Sequence, residues 1–385
     1  MSASHISVDQ VLTIGVEEEF YLADRESLRA VSRAGEVVAN AAAVLGDRVQ
    51  AELFASQVEL VSTPHAAAAD LRGELLLLRQ TGAAFAASSG CLLVAAGSAV
   101  LNEWPVPVFD TERYREIGRR FQSVLHRMRA EPNGCHVHLG TLAWSEALAL
   151  TNHLRPWLPV LQALCVNSPF AGGRSRGCLS WRHFDFGTWP QARPAPILTE
   201  SVYARQMDSW VSDGKILDRR MMYWYARPSE HVPTVEIRVA DANWDLDVTM
   251  LMVLLARGLG TALLAEIRAG VYFPQIGRGQ VERAHRLAAA TGPTGPGISP
   301  LTGTALPMSA CLQLLLDRAR PGLEAAGDVE LVAELMATLR VRRTGAERQL
   351  VRVQSGGSLR DLVRMAAIEE VADGSVIAEP ARPGP

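Results

Sequence analysis

Residues 13–22 read TIGVEEEFYL, and this stretch decides the architecture. Successive side chains of a strand point to opposite faces, so alternate residues can be sorted directly. One side receives Ile14, Val16, Phe20 and Leu22, and the other Glu17 and Glu19, about 7 Å apart. Glu18 falls with the apolar set and is excluded from any site. Three further runs divide in the same way. In QVELVST (57–63), Val58 and Leu60 oppose Gln57 and Glu59. In GCHVHLG (134–140), Cys135, Val137 and Leu139 oppose His136 and His138. In TVEIRVA (234–240), Val235, Ile237 and Val239 oppose Glu236 and Arg238. Another β-like run covers 91–96, and apolar residues at helical spacing predict helices over 66–88, 112–129, 145–166, 245–269, 306–325, 329–339 and 345–352. Strands and long helices do not alternate in a regular βα manner, which predicts an α+β fold with a mostly antiparallel sheet.

If the apolar faces all rest on helices, the opposite face collects Glu17, Glu19, Glu59, Glu236, two histidines and an arginine. A single half-exposed strand with solvated acids would be unremarkable; four strands with one division point to a site. Clustered carboxylates repel one another and raise their own pKa values unless cations neutralise them. The oxygen-rich donor set suits Mg²⁺ or Mn²⁺ better than a structural zinc. Such ions on a sheet suit binding of ATP phosphates and phosphoryl transfer. His138 reads equally as a ligand or as an orienting residue, and an HxH on a strand also fits a metal-dependent hydrolase. There is no GxxxxGK[ST] phosphate loop, and GRSRG (173–177), which matches GxSxG, does not follow a β-like run as a nucleophile elbow would.

The 385 residues are 48% hydrophobic and 21% charged with a formal net charge of -3, which gives no electrostatic reason to seek nucleic acid or an anionic membrane. The start at Met1 lacks the basic-then-apolar pattern of a secretory signal, so a cytoplasmic protein is expected. The apolar stretch from Met250 to Leu264 is interrupted by Arg257 and falls short of the roughly 20 residues a bilayer needs, which predicts a buried helix. Five scattered cysteines with no CxxC pair predict reduced core thiols. A Gly/Pro stretch, TGPTGPG at 291–297, reads as a loop. The expected organisation is a single catalytic domain over 1–385 with a C-terminal helical portion from about 298 to 370.

Six segments carry a resemblance: GVEEEF (15–20), ELVSTP (59–64), NGCHVHLG (133–140), RPWLPVLQALCVNSPF (155–170), PTVEIRVAD (233–241) and TGAERQ (344–349). In this order, from about residue 12 to 367, they resemble the bacterial carboxylate-amine ligases of the glutamate-cysteine ligase type 2 group, with a glutamine synthetase-like catalytic fold. The resemblance implies a curved sheet forming a cup that holds ATP phosphates and metal ions, backed by helices. In such a site Glu17, His136 and Glu236 would hold the metal bridging the phosphates, and Glu19, Glu59 and Glu52 the metal nearer the substrate carboxylate. Arg238 would contact phosphate oxygens, with Arg182 and Arg227 also on nucleotide or substrate; Glu17, Glu236 and Arg238 would carry the chemistry. The implied reaction is attack of the glutamate γ-carboxylate on ATP to give an acyl phosphate, then capture by cysteine or another amino acid or amine. The implied partners are small molecules, with a homodimer left open. The alternatives are a metal-dependent hydrolase using the same acids and histidines, and a non-catalytic ligand-binding relative.

The sequence also departs from the family pattern. After NSPF it reads AGGRSRG (171–177), Trp224 is followed by Tyr225 where the family has Asp, and the Arg- and Trp-rich helix of relatives has become ERAHRLAAATG (282–292). The metal strands are intact while pocket walls differ, so the amine is left open.

Overall fold

The computed structural model describes residues 8–369. The start of the chain at Met1 and the residues from 370 onward therefore lie outside the described residues. Strands β1 (Thr13–Asp24), β2 (Val49–Ala51), β3 (Gln57–Val61), β4 (Cys91–Val94) and β5 (Gly134–Gly140) are followed by a small hairpin, β6 (Phe170–Ala171) and β7 (Arg174–Ser175). Strands β8 (Ala226–Pro228) and β9 (Thr234–Asp241) complete the main sheet. Seven strands form that sheet in the order β2-β3-β1-β5-β9-β8, with β4 pairing the end of β1. Every pairing is antiparallel and the sheet is open. The four strands read by alternation and the β-like run at 91–96 are present; β2 and β8, at three residues each, are too short to display a period.

The apolar face rests on helices. Ile14, Val16, Val137, Leu139, Val235 and Ile237 join one core with the Leu246–Arg268 helix, and Phe20, Leu22, Val58 and Leu60 join a second with the Ala34–Leu45 and Ala68–Ser88 helices. Leu246–Arg268 matches the helix predicted over 245–269 to within a residue at each end, extending past the apolar stretch through Asp247, Glu266 and Arg268. At 23 residues it is long and apolar enough to cross a bilayer, yet 94% of its apolar window is buried inside the protein, as expected of a core helix. Its one internal cation, Arg257, is neutralised by Asp328 and also donates to the Ala66 carbonyl at 2.5 Å. The Met308–Ala326 helix crosses it at a glycine contact: a Cβ on Gly322 would lie 2.0 Å from the Gly258 carbonyl oxygen.

Two predicted helices are broken. Residues 145–166 form Trp144–Leu154 and Leu158–Leu164, separated at Pro156, which cannot donate into a helix and clashes with the preceding turn. Residues 112–129 form Glu112–Arg120 and Gln122–Leu125, with Phe121 out of helical geometry between them. The 291–297 stretch is more ordered than a plain loop: Gly292, at φ 61°, ends the Arg278–Thr291 helix, and Pro296–Ile298 pairs with Ala305–Pro307. On the polar side of the sheet a third core gathers Phe54, Ile117, Phe121, Trp189, Met207 and Trp224.

Candidate active site

Register brings the polar residues of the four strands into one patch. Glu19 pairs with Glu59 across β1 and β3, Glu17 with His136 across β1 and β5, and His138 with Glu236 across β5 and β9. Arg227 of β8 lies opposite Glu236. The β5–β9 ladder shifts register so that Arg238 and Val239 together oppose the single residue His136. A bulge of this kind re-aims side chains, and here the Arg238 N–H bonds the Tyr225 carbonyl oxygen at 2.9 Å.

Two compact groups result, Glu17–His136–Glu236 and Glu19–Glu59–His136, each offering ligand atoms within 4.8 Å of one another. His136 belongs to both. Its Nδ1 is 3.1 Å from Glu17 Oε2 and 3.9 Å from Glu236 Oε1, and its Nε2 is 3.6 Å from Glu19 Oε1. His138 resolves as a support for Glu17: its Nε2 meets Glu17 Oε1 at 3.1 Å while Nδ1 bonds Thr234 Oγ1 at 2.9 Å. Glu52 stands beside these groups, its Oε2 accepting from the Leu53 N–H at 2.6 Å and from the Tyr114 hydroxyl at 3.3 Å.

Three arginines flank the acids. Arg227 Nε donates to Glu236 Oε2 at 2.6 Å, and Arg238 Nη1 donates to Glu236 Oε1. Arg182 is buried and donates through Nη1 to the Arg238 carbonyl oxygen at 3.2 Å. It lies against Gly134, where a Cβ would sit 2.2 Å from Arg182 Nη2. The Nε atoms of both Arg182 and Arg238 are buried without a partner.

The electrostatics divide the acids. Burial works to raise Glu17, but hydrogen bonds from His136 and His138 overcome it and hold its carboxyl well below the usual range. Burial is likewise overcome at Glu236 by Arg227 and Arg238, which hold it low. No such partner rescues the other side: burial and the neighbouring carboxylates, Glu19 foremost, push Glu52 up to about 7. Burial together with Glu17, Glu52 and Glu19 lifts Glu59 well above its normal value. His136 is pushed down, by burial first and then by Arg238, which keeps it neutral with a lone pair to offer.

A divalent cation fits this donor set on two observations: the buried His136 Nε2 has no hydrogen-bond partner, and burial with neighbouring carboxylates raises Glu59 and Glu52, which added positive charge would offset. Glu18 points the other way. It is 1% exposed and is gripped by Arg79, Nε to Oε2 at 2.8 Å and Nη2 to Oε1 at 2.6 Å, with the Thr249 hydroxyl at 3.1 Å. Tyr114 and Tyr223, which the strand patterns do not reveal, flank the acids: Arg238 lies 5.7 Å from the Tyr223 ring centroid and Arg113 lies 5.6 Å from that of Tyr114. The aromatic run 223–225 just before Arg227 is a sequence signal for Tyr223 alone; Tyr114 has none.

The model of the family described as Glutamate-cysteine ligase family 2 matches residues 13–365. A protein of Salinispora tropica provisionally named glutamate–cysteine ligase 2 is 38% identical over 341 residues, covering 88% of this chain and 89% of its own. A relative in Mycolicibacterium vanbaalenii, provisionally named glutamate–cysteine ligase 2-2, is 37% identical over 363 residues, covering 94% and 99%. Among solved structures, a bifunctional glutathione synthetase from Pasteurella multocida shares the fold at a TM-score of 0.71 and 14% identity, covering 93% of this chain and 52% of that one. A glutamate–cysteine ligase from Francisella tularensis in complex with AMP does so at 0.64 and 13%, covering 93% and 88%.

Proposed function

The chain belongs to glutamate–cysteine ligase family 2 and is an ATP-dependent carbon–nitrogen ligase, and on that premise we propose that it joins the γ-carboxylate of glutamate to an amine through an acyl phosphate. The observation that carries the reading is the meeting of two carboxylate groups on the two nitrogens of His136, with the unpartnered Nε atoms of Arg182 and Arg238 beside them.

In this reading Glu17, His136 and Glu236 hold one divalent cation, Mg²⁺ or Mn²⁺, and Glu19, Glu59 and Glu52 a second. The ions, when bound, offset the repulsion between a carboxylate and a triphosphate that otherwise opposes attack. Arg238, fixed by Glu236 and by its backbone bond to Tyr225, turns its free Nε toward phosphate oxygens. Arg182 offers a second such contact, and Arg227 keeps Glu236 ionised and in place. His138 orients Glu17, as a partner on the far atom of a ligand commonly does. The glutamate oxygen attacks the γ-phosphorus, ADP leaves, and the amine nitrogen then displaces phosphate from the acyl carbon and loses a proton.

The hydrolase alternative draws nothing from family membership and leaves the two arginine donors without a task. The deciding experiment incubates the protein with ATP, glutamate and a panel of amines, read by mass spectrometry. The expected result is ADP, phosphate and a γ-glutamyl product with at least one amine; absence of ADP with every amine would end the ligase reading.

A further inference from the structure

A cavity outside the acid cluster is lined by Tyr225, whose carbonyl oxygen accepts from the Arg238 N–H. It has a volume of ≈ 240 Å³, and its walls include His183, Phe184, Arg193, Tyr225, Glu282 and Arg286. Two of the departures from the family pattern meet here. The Tyr225 ring stands edge-on against His285 of the Arg278–Thr291 helix, centroids 4.5 Å apart, and His183 stacks on His285 at 6.1 Å and 10°. A cavity below the roughly 300–1,000 Å³ of sites for drug-sized ligands suits a molecule of one ring or of amino-acid size.

The wall is cationic without being paired. Glu282 is engaged by Arg278 at 2.8 Å, whereas neither Arg193 nor Arg286 forms an ion pair among the described residues. Arg193 is held by stacking, its guanidinium 5.4 Å from the Trp210 ring centroid. The buried Arg155 adds a further positive charge acting on His285. The histidines add none: burial first, then Arg182 and Arg286, push His183 down to about 3, and burial with His183 and Arg155 lowers His285 well below its ordinary value. His285 Nδ1 donates to Gln162 Oε1 at 2.5 Å. Behind the wall, in the layer that His183 and Tyr225 pack against, three buried polar atoms, His285 Nε2, Gln162 Nε2 and Arg155 Nε, have no hydrogen-bond partner, and buried polar groups are rarely left so.

We propose that this cavity binds a small carboxylic acid with a flat apolar or aromatic body, the carboxylate between Arg193 and Arg286 and the body against Tyr225 and Phe184. Guanidinium groups match a carboxylate in shape and charge, and aromatic walls accept a ring face. The site communicates with the acid cluster through short links. The Tyr225 carbonyl holds the Arg238 N–H, and Arg182 acts electrostatically on Glu19, on Tyr225 and on His183. The occupant is therefore either the acceptor amino acid, presenting its own carboxylate, or an acid that is not consumed and tunes the site from outside.

Calorimetric titration of the full-length protein without ATP tests this, using benzoate, which lacks an amine, and L-phenylalanine, which has one. Saturable binding with Kd near 1 mM or tighter is expected, the weak end of the specific range at ~1 mM. The Arg193→Ala/Arg286→Ala double variant should weaken it by about tenfold or more, as loss of charge-assisted pairs does, while Arg340→Ala, an exposed arginine on another helix, should bind as the wild type does. No saturable binding of either acid, or equal binding by the double variant, overturns the proposal. Adding ATP and glutamate then separates the sources. Formation of γ-glutamyl-phenylalanine, competed by benzoate and with a raised KM in the double variant, assigns the acceptor; benzoate shifting turnover of a different amine without competing against it assigns a tuning acid. These binding arms use no turnover, so they succeed or fail independently of the proposed ligase chemistry.

Discussion

Glu17 and Glu18 are neighbours in the chain and should fail in opposite ways when changed to glutamine. Glu18→Gln removes the charge that neutralises Arg79, and the two side chains are 2% and 3% exposed. Stripping one partner from a buried pair leaves an uncompensated charge and costs about 3–5 kcal/mol. The amide keeps one acceptor for Arg79, which places the loss at the lower end. Against a total stability of ~5–15 kcal/mol this is a large fraction, and the urea midpoint should fall clearly. The chemistry should survive, because Glu18 and Arg79 lie between the sheet and its helices. Glu17→Gln keeps one acceptor and loses the other histidine bond, worth about 1 kcal/mol. It also removes a carboxylate that the fold holds below its usual range, a loss partly offset because the same charge raises Glu59. The midpoint should fall less than in Glu18→Gln, because Glu17 is less deeply buried, whereas ADP release should fall by about 10²–10³ or more, the loss typical of one preorganised electrostatic group. Both variants are assayed by urea unfolding and by ATP turnover per folded molecule. Near-normal turnover in Glu17→Gln, or lost turnover at an unchanged midpoint in Glu18→Gln, would refute the assignment of faces.

Mg²⁺ should raise the melting temperature of the wild type, because a ligand bound only by the native state stabilises it, and should do so far less in a Glu17→Gln/Glu59→Gln variant; equal shifts in a thermal melt count against the metal assignment. Gly134→Ala puts a methyl group within 2.2 Å of Arg182 Nη2. That side chain must move, so KM for ATP should rise by about tenfold, the cost of one lost charge-assisted contact, with little change in stability; an unchanged KM would free Arg182 from its proposed role. Glu131 is buried, bonded at one oxygen by the Ser56 hydroxyl at 2.9 Å and unpartnered at the other, and burial pushes it up to about 7. A carboxyl raised in the folded state contributes stability that is present below its unfolded value near 4.5 and is lost as pH rises through about 7. Glu131→Gln should therefore match the wild type near pH 4.5 and be the more stable protein at pH 8; denaturation midpoints at the two values decide it.

The long strands were legible because each shows its apolar and polar faces over at least four residues, and the polar face already named Glu17, Glu19, Glu59, His136 and Glu236. What alternation could not supply was distance. That His136 stands between two groups while His138 braces Glu17 follows from register and from the bulge opposite His136, neither of which has a local signature. Arg182 sits on a six-residue helix whose place beside Gly134 depends on contacts far apart in sequence. The same holds for Tyr114, and for the Arg79–Glu18 pair, in which the residues are separated by 61 positions. The helices over 112–129 and 145–166 were read as continuous because apolar spacing carried across Phe121 and Pro156; the proline was a visible breaker that the pattern outweighed.

The acids of the proposed site are not equivalent before any ion arrives. Glu236 has Arg227 and Arg238, and Glu17 has two histidines, so this half is ionised and fixed by protein partners alone. Glu59 and Glu52 are raised, by burial first and then by the carboxylates they face. A cation entering beside Glu59 must displace a proton, and the charge it brings is the one the fold withholds. In the proposed mechanism the half preformed by protein partners would meet phosphate, and the half of raised acids would be completed by the ion that accompanies the substrate carboxylate. Such an arrangement ties the reactive geometry to occupancy, since the second half cannot carry its full negative charge while empty.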